Sequence, residues 1–148
     1  MSAAKTVSDE TKRAQLKLTG GTGLIPAAAA AAEHFAEEAG LDERGRTALI
    51  EACEQVCGDA MARIEGNDTT LEVVLEQHPD RIEISVAHPS ASGPAIGLDA
   101  FIGSGHGPAS AAGANLLSRV DRVRYETVGQ SSRMILVKYL PGAKKRAN

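Results

Sequence analysis

The side chains that could carry chemistry in this sequence are concentrated in one helical stretch and one glycine-rich segment. Glu51, Gln55 and Asp59 recur at intervals of four residues, so on a helix they would form one polar ridge. Gly103, Gly105 and Gly107 could leave backbone N–H groups open to a phosphate, beside a helix predicted to begin near residue 109. Such a ridge is more often a solvated helix face, and one Gly-x-Gly-x-Gly segment is equally typical of a flexible loop. Both interpretations stay open at this point.

The two cysteines, Cys53 and Cys57, lie one helical turn apart. Such a pair could bind a metal or sense redox state, but no further cysteine or nearby histidine completes a site. Both cysteines fall in an apolar stripe with the spacing of one helix face. The stripe consists of Leu49, Ala52, Cys53, Val56, Cys57, Ala60, Met61 and Ile64. We therefore predict two reduced core cysteines, and we expect His78, in a turn, to be exposed.

Composition excludes several classes of function. The chain has 148 residues, a formal net charge of -3 and 3% aromatic residues. This charge provides no positive field to attract nucleic acid. With so few aromatic rings, the chain also cannot build stacking platforms for single-stranded nucleic acid. No apolar run approaches the roughly 20 residues of a membrane span, and residues 1–12 do not resemble a signal peptide. We therefore predict a cytoplasmic single domain that binds neither nucleic acid nor membrane.

The elements that would position these side chains follow from periodicity and from turn residues. The sequence predicts strands at 14–19, 69–77, 81–87, 123–128 and 133–139, with helices at roughly 24–40, 42–65 and 109–119. This order predicts an α+β fold, a two-layer sandwich of a mostly antiparallel sheet with helices on one face. Residues 1–13 are predicted to be a flexible tail, 14–141 the domain, and 142–148 a flexible basic tail. The alanine run at 27–32 predicts close packing on a neighbouring element.

Four stretches of this sequence carry a resemblance to a known family. They are 41–52, which ends ALIEA; 81–87, RIEISVA; 112–126, AGANLLSRVDRVRYE; and 134–140, MILVKYL. Together with the element order they resemble the histidine-kinase-like ATP-binding fold of gyrase, sensor kinases and anti-sigma-factor serine kinases. The similarity is greatest to the anti-sigma-factor serine kinases and covers about residues 14–141.

The resemblance implies roles for particular residues. Glu51 matches the family's general base, and Gln55 stands where an asparagine one turn later holds Mg²⁺ against the triphosphate. His88 replaces the aspartate that binds the adenine amino group. Ser90 and Ser92 stand at two glycines of the family motif that contains this aspartate. Gly113 (or Ala112) stands at the glycine that begins the following helix. The glutamine carbonyl lies one methylene further out than the asparagine carbonyl, and the two serines fill space that glycines leave open.

These departures favour a regulatory protein that acts by protein–protein binding, with nucleotide binding weakened or lost. Its expected partners are a sigma factor or an anti-anti-sigma antagonist domain, and a homodimer is possible. One alternative is an active serine/threonine kinase that uses ATP and Mg²⁺, with Glu51 as base and Gln55 as metal ligand. Another is an assembly domain without a cofactor. In the long loop at 88–108, Phe101 and Ile102 are expected either to contact a partner or to fold back onto the core.

Overall fold

A computed structural model of the chain describes residues 11–19, 21–63, 70–89, 116–129 and 131–141. Its elements are β1 (Lys12–Leu18), a 3-10 turn (Thr22–Leu24), α1 (Ile25–Glu38), α2 (Glu43–Arg63), β2 (Leu71–Gln77), β3 (Arg81–Pro89), β4 (Arg122–Val128) and β5 (Ser131–Tyr139). Residues 116–119 are also helical. None of the helices in these ranges is both long and apolar enough to cross a membrane.

The strands form one five-stranded sheet in the order β1-β2-β3-β5-β4, and every neighbouring pair is antiparallel. The predicted α+β class, with an antiparallel sheet and helices, is thereby confirmed. The hairpin between β2 and β3 is also confirmed, with Pro79 and Asp80 in its turn. The His78 N–H donates to the Arg81 carbonyl over 2.8 Å and closes this turn.

The hydrophobic core joins the helices to alternate residues of the strands. In β2 and β3 the side chains of one face are buried and those of the other face are mostly half-buried, whereas β5 buries side chains on both faces, Ile135 and Val137 among them. The core residues of the sheet include Leu71, Val73, Leu75, Ile82, Ile84, Val86, Met134 and Leu136. Those of α2 are Leu49, Ala52, Cys53, Val56, Cys57, Ala60 and Met61, the predicted apolar stripe without Ile64, which lies outside the described residues.

The junction of α1 and α2 is built from the residues that the sequence marks as helix stop and start signals. Gly40, at φ 84°, adopts the left-handed conformation that ends α1, and its N–H donates to the Glu37 carbonyl. Asp42 then caps α2, because its Oδ1 accepts the Gly45 N–H over 2.8 Å. These caps turn the chain sharply, so that α2 lies against α1.

The alanine run lets the two helices approach closely. Ala28, Ala32 and Ala36 are fully buried in the core shared with α2, and the thiol of Cys53 lies 3.9 Å from the Ala28 carbonyl oxygen. The neighbour expected for this run is therefore α2 of the same chain.

Two boundaries differ from those predicted in ways that bear on the site, and a third element is described only in part. β1 begins at Lys12, inside the predicted flexible tail, because Lys12 and Arg13 pair with Gln77 and Glu76 of β2. β3 continues through His88 to Pro89, since these residues pair with β5, so His88 belongs to a strand and not to the long loop. Of the third predicted helix, residues 116–119 are described and helical, while 109–115 lie outside the described residues, as do 1–10 and 142–148.

Candidate functional site

Glu51, the candidate base, lies on α2 and is tied to a residue far along the chain. Its carboxylate accepts a hydrogen bond from Arg119 Nε, with Oε1 2.9 Å from the nitrogen. The side chain is 48% exposed. Arg119 is carried by the helical residues 116–119, which Leu116 and Val120 anchor in the core. The guanidinium thus holds one of the two oxygens of this carboxylate, although an exposed pair of this kind stabilises by only about 0–1 kcal/mol.

Gln55 and Asp59 continue the ridge one and two turns further along α2. Both residues are half-buried, whereas Glu51 is exposed. The ridge therefore runs from solvent at Glu51 into the partly covered part of the helix. A fully solvated face, the ordinary explanation of such spacing, does not describe it.

His88 lies near the carboxyl end of β3 with its side chain in phase with Ile84 and Val86, on the core side of the sheet. It is 4% exposed and stands opposite Ser132 of β5, which is also buried. A residue that holds adenine must present a polar atom to an open site, and little of this side chain reaches solvent.

The pocket beside His88 is small. Its volume is about 250 Å³, below the roughly 300–1,000 Å³ typical of small-molecule sites. Its lining in the described ranges is Lys17, Thr70, Glu72, Ala87, His88 and Ser131. The remaining candidates, Ser90, Ser92, Gly103, Gly105, Gly107 and Gly113, lie outside the described residues, as do Phe101 and Ile102.

A larger cavity of about 500 Å³ lies where α2 begins, against the end of β5. Its acidic groups already have structural partners. Asp42 caps α2, and Asp121 Oδ2 accepts the Tyr139 N–H over 2.8 Å. These contacts hold helix and sheet together and explain the acidic side chains without a ligand.

One cluster that the sequence analysis did not predict lies on the open face of the β2–β3 hairpin. Glu76, His78 and Glu83 each offer one ligand atom within 4.8 Å of the others. His78 is half-buried, and its Nε2 lies 3.1 Å from Glu76 Oε1. The expected exposure of His78 is therefore wrong, because Glu76 of the same strand and Thr11 beside β1 lie against the ring. The signal was present in the sequence: a turn at 79–80 sets position 76 directly opposite 83.

Two side chains have a raised pKa, one in the hairpin and one in the helical layer. The hydrogen bond to Glu83 raises the pKa of the Arg81 guanidinium, and a second bond to Asp80 adds to it. In the helical layer, the side-chain hydrogen bond with Cys57 and then burial raise the pKa of Cys53 far above the ordinary range of a thiol. Both cysteines are free and buried, as predicted. Neutral thiols of this kind are poor nucleophiles and poor metal ligands.

Comparison with known proteins adds no assignment, since no family model and no curated protein sequence matches the chain.

Proposed function

We propose that this chain is a regulatory protein similar to the anti-sigma-factor serine kinases, which acts by binding other proteins and has weakened or lost nucleotide binding. The fold proposed with it is the histidine-kinase-like two-layer sandwich. Its support is the element order, two helices after the first strand and a central hairpin, on a sheet whose core side packs against those helices.

The observation that carries the proposal is the burial of His88. The resemblance assigns this position to the group that binds adenine, and here it is 4% exposed, in strand pairing with β5. A histidine at this position offers no carboxylate to the amino group of adenine, and its burial keeps the ring from an open site. Losing one hydrogen bond to a charged group costs about 1.5–3 kcal/mol, or roughly 10- to 150-fold in affinity.

Glu51 and Gln55 support the same conclusion. The Glu51 carboxylate is bonded to Arg119 at 2.9 Å, so one of its two oxygens is engaged and less available to a substrate hydroxyl. Gln55 places its carbonyl one methylene beyond the position that Mg²⁺ would use in the family, and Mg²⁺ requires near-ideal octahedral geometry. The base and the metal ligand are thus both compromised.

The proposed partners are a sigma factor or an anti-anti-sigma antagonist domain in the cytoplasm, with a homodimer as a further possibility. Self-association would have to use a surface other than the buried alanine face of α1, because Ala28, Ala32 and Ala36 pack within the chain.

The experiment is a binding titration against purified sigma factors and antagonist domains from the same organism, with and without Mg·ATP. Fluorescence anisotropy should give one complex whose dissociation constant agrees within about twofold between the two conditions. The Glu51→Gln variant should bind equally well, since the carboxylate has no catalytic part in this proposal.

Two results would overturn it. Binding that requires Mg·ATP, or phosphate transfer to an antagonist serine that Glu51→Gln abolishes, would establish the kinase. Failure to bind any of these partners, together with self-association in sedimentation, would favour the assembly domain.

A further inference from the structure

We propose that Glu76, His78 and Glu83 form a binding site for a divalent transition-metal ion of the zinc type, on the sheet face opposite the helices. This site is independent of the nucleotide question, since its residues lie on the β2–β3 hairpin and not on α2. One imidazole nitrogen and two carboxylate oxygens suit Zn²⁺, which commonly takes three protein ligands and keeps a fourth position open.

The first support is the convergence of the three ligand atoms. They lie within 4.8 Å of one another, with His78 Nε2 3.1 Å from Glu76 Oε1. Ligands about 2.0–2.2 Å from a tetrahedral zinc ion stand roughly 3.4 Å apart, so small side-chain rotations bring all three into coordination. The three side chains are 28%, 20% and 15% exposed, in the order of the sequence, which leaves access for an ion while limiting competing water.

The second support is the rigidity of the backbone that carries them. Glu76 and Glu83 are directly paired across β2 and β3, and His78 lies two residues beyond Glu76, where its N–H closes the turn. Carboxylates directly opposite each other repel, and arginine side chains beside both glutamates already offset part of that repulsion. A metal ion between the two carboxylates would offset the remainder.

The third support is how the outer atoms of the ligands are held. Glu83 Oε2 accepts a hydrogen bond from Arg81 Nε at 2.6 Å. Glu76 Oε2 lies 3.7 Å from Arg13 Nε, and His78 Nδ1 lies 3.5 Å from the Thr11 hydroxyl. The short Arg81 bond orients the Glu83 carboxylate, while the longer contacts of Glu76 and His78 add less.

The competing arrangement is an ion-pair network without a metal. Arg124 Nη2 lies 3.6 Å from Glu83 Oε1, the oxygen that would face the ion, and a protonated His78 would pair with Glu76. Zinc must displace Arg124 from Glu83. The contact between them is long, and the Arg124 side chain is 43% exposed. Such a contact contributes little, about 0–1 kcal/mol.

The test is calorimetric titration of the metal-stripped full chain with ZnCl₂, checked by competition with a chromogenic zinc indicator. We expect one equivalent bound with a dissociation constant of about 10 μM or tighter. His78→Ala and Glu83→Gln should each weaken binding by about 100-fold. His34→Ala, which removes an exposed histidine of α1, should change it less than twofold. Zinc should also raise the melting temperature of the parent and of His34→Ala but not of the other two.

The controls make each result decisive. Circular dichroism of each metal-free variant checks that it is folded, and Glu83→Gln keeps the size and shape of the side chain if His78→Ala fails to fold. No binding tighter than about 100 μM in the parent would show an ion-pair network only and overturn the proposal. Equal weakening by His34→Ala would overturn it as well, since binding would then be nonspecific.

Discussion

The imidazole of His88 has two interpretations, a residue that binds a nucleotide base or a polar core residue, and its burial favours the second. The resemblance in sequence places it where the anti-sigma-factor serine kinases would bind adenine, whereas in the structure it faces the core side of β3 and is 4% exposed. A neutral imidazole can remain in such a place if its nitrogens are satisfied, but an ionised carboxylate cannot without a large cost. The burial of His88 therefore favours a polar core residue at this position.

Replacing His88 by the aspartate of the family that the sequence resembles should consequently destabilise the fold and should not create a nucleotide site. His88→Asp should lower the free energy of unfolding by more than about 2 kcal/mol, because it buries an acidic group among core side chains. His34→Asp, on the exposed face of α1, should cost only about 0.5 kcal/mol. Urea unfolding measures both. A stable His88→Asp variant that gains affinity for ATP would show that this position opens into a nucleotide site.

Cys53 illustrates how burial and a neighbouring side chain suppress the reactivity of a thiol. Its hydrogen bond with Cys57 and its burial both raise the pKa of the Cys53 thiol, so the folded protein retains a proton that the unfolded chain releases above about pH 8.5. This contribution to stability is complete below that pH. It is lost as the pH rises, because the unfolded state then binds fewer protons.

The parent should therefore lose stability between about pH 8 and pH 10 more steeply than Cys53→Ala. The difference in slope should be up to about 1.4 kcal/mol per pH unit, the value for one proton. Urea unfolding of both proteins across this range measures it, and groups that do not contact Cys53 cancel in the comparison. Identical slopes would contradict the assigned environment of the thiol.

At the scale of elements, the sequence predicted short-range features better than it predicted contacts between residues far apart in the chain. The break between the helices near residues 40–42 and the apolar stripe on α2 are short-range features, and both are found in the described residues. The start of β1 at Lys12 depends on its pairing with β2, and the ion pair from Glu51 to Arg119 joins residues distant in the chain. Local periodicity does not predict either contact, because both depend on tertiary packing.

The packing of α1 on α2 yields a prediction for the alanine run. Ala32→Leu should destabilise the protein by about 1–3 kcal/mol, because this position is fully buried between helices that already lie close together. Ala30→Leu, an exposed position on the same helix, should stay within about 0.5 kcal/mol of the parent. Chemical denaturation gives both values. Equal tolerance of leucine at the two positions would show that the helices are not tightly packed.

For the whole molecule, the fold class could be predicted because strand alternation and helix periodicity report directly on which faces are buried. The candidate site could be predicted less well. Spacing placed Glu51 and Gln55 on one helix correctly, but it did not reveal that Glu51 is bonded to Arg119, or that β3 carries His88 into the core. Architecture and site chemistry are separable, since a fold persists after the residues of its site have changed.

The central claim, that nucleotide handling is weakened or lost, is tested most directly by calorimetric titration of the full chain with Mg·ATP. We expect no saturable heat below about 1 mM nucleotide, because the buried His88 removes the charged contact to adenine and Gln55 displaces the metal ligand. A saturating isotherm with a micromolar dissociation constant would contradict this account and would favour the active kinase.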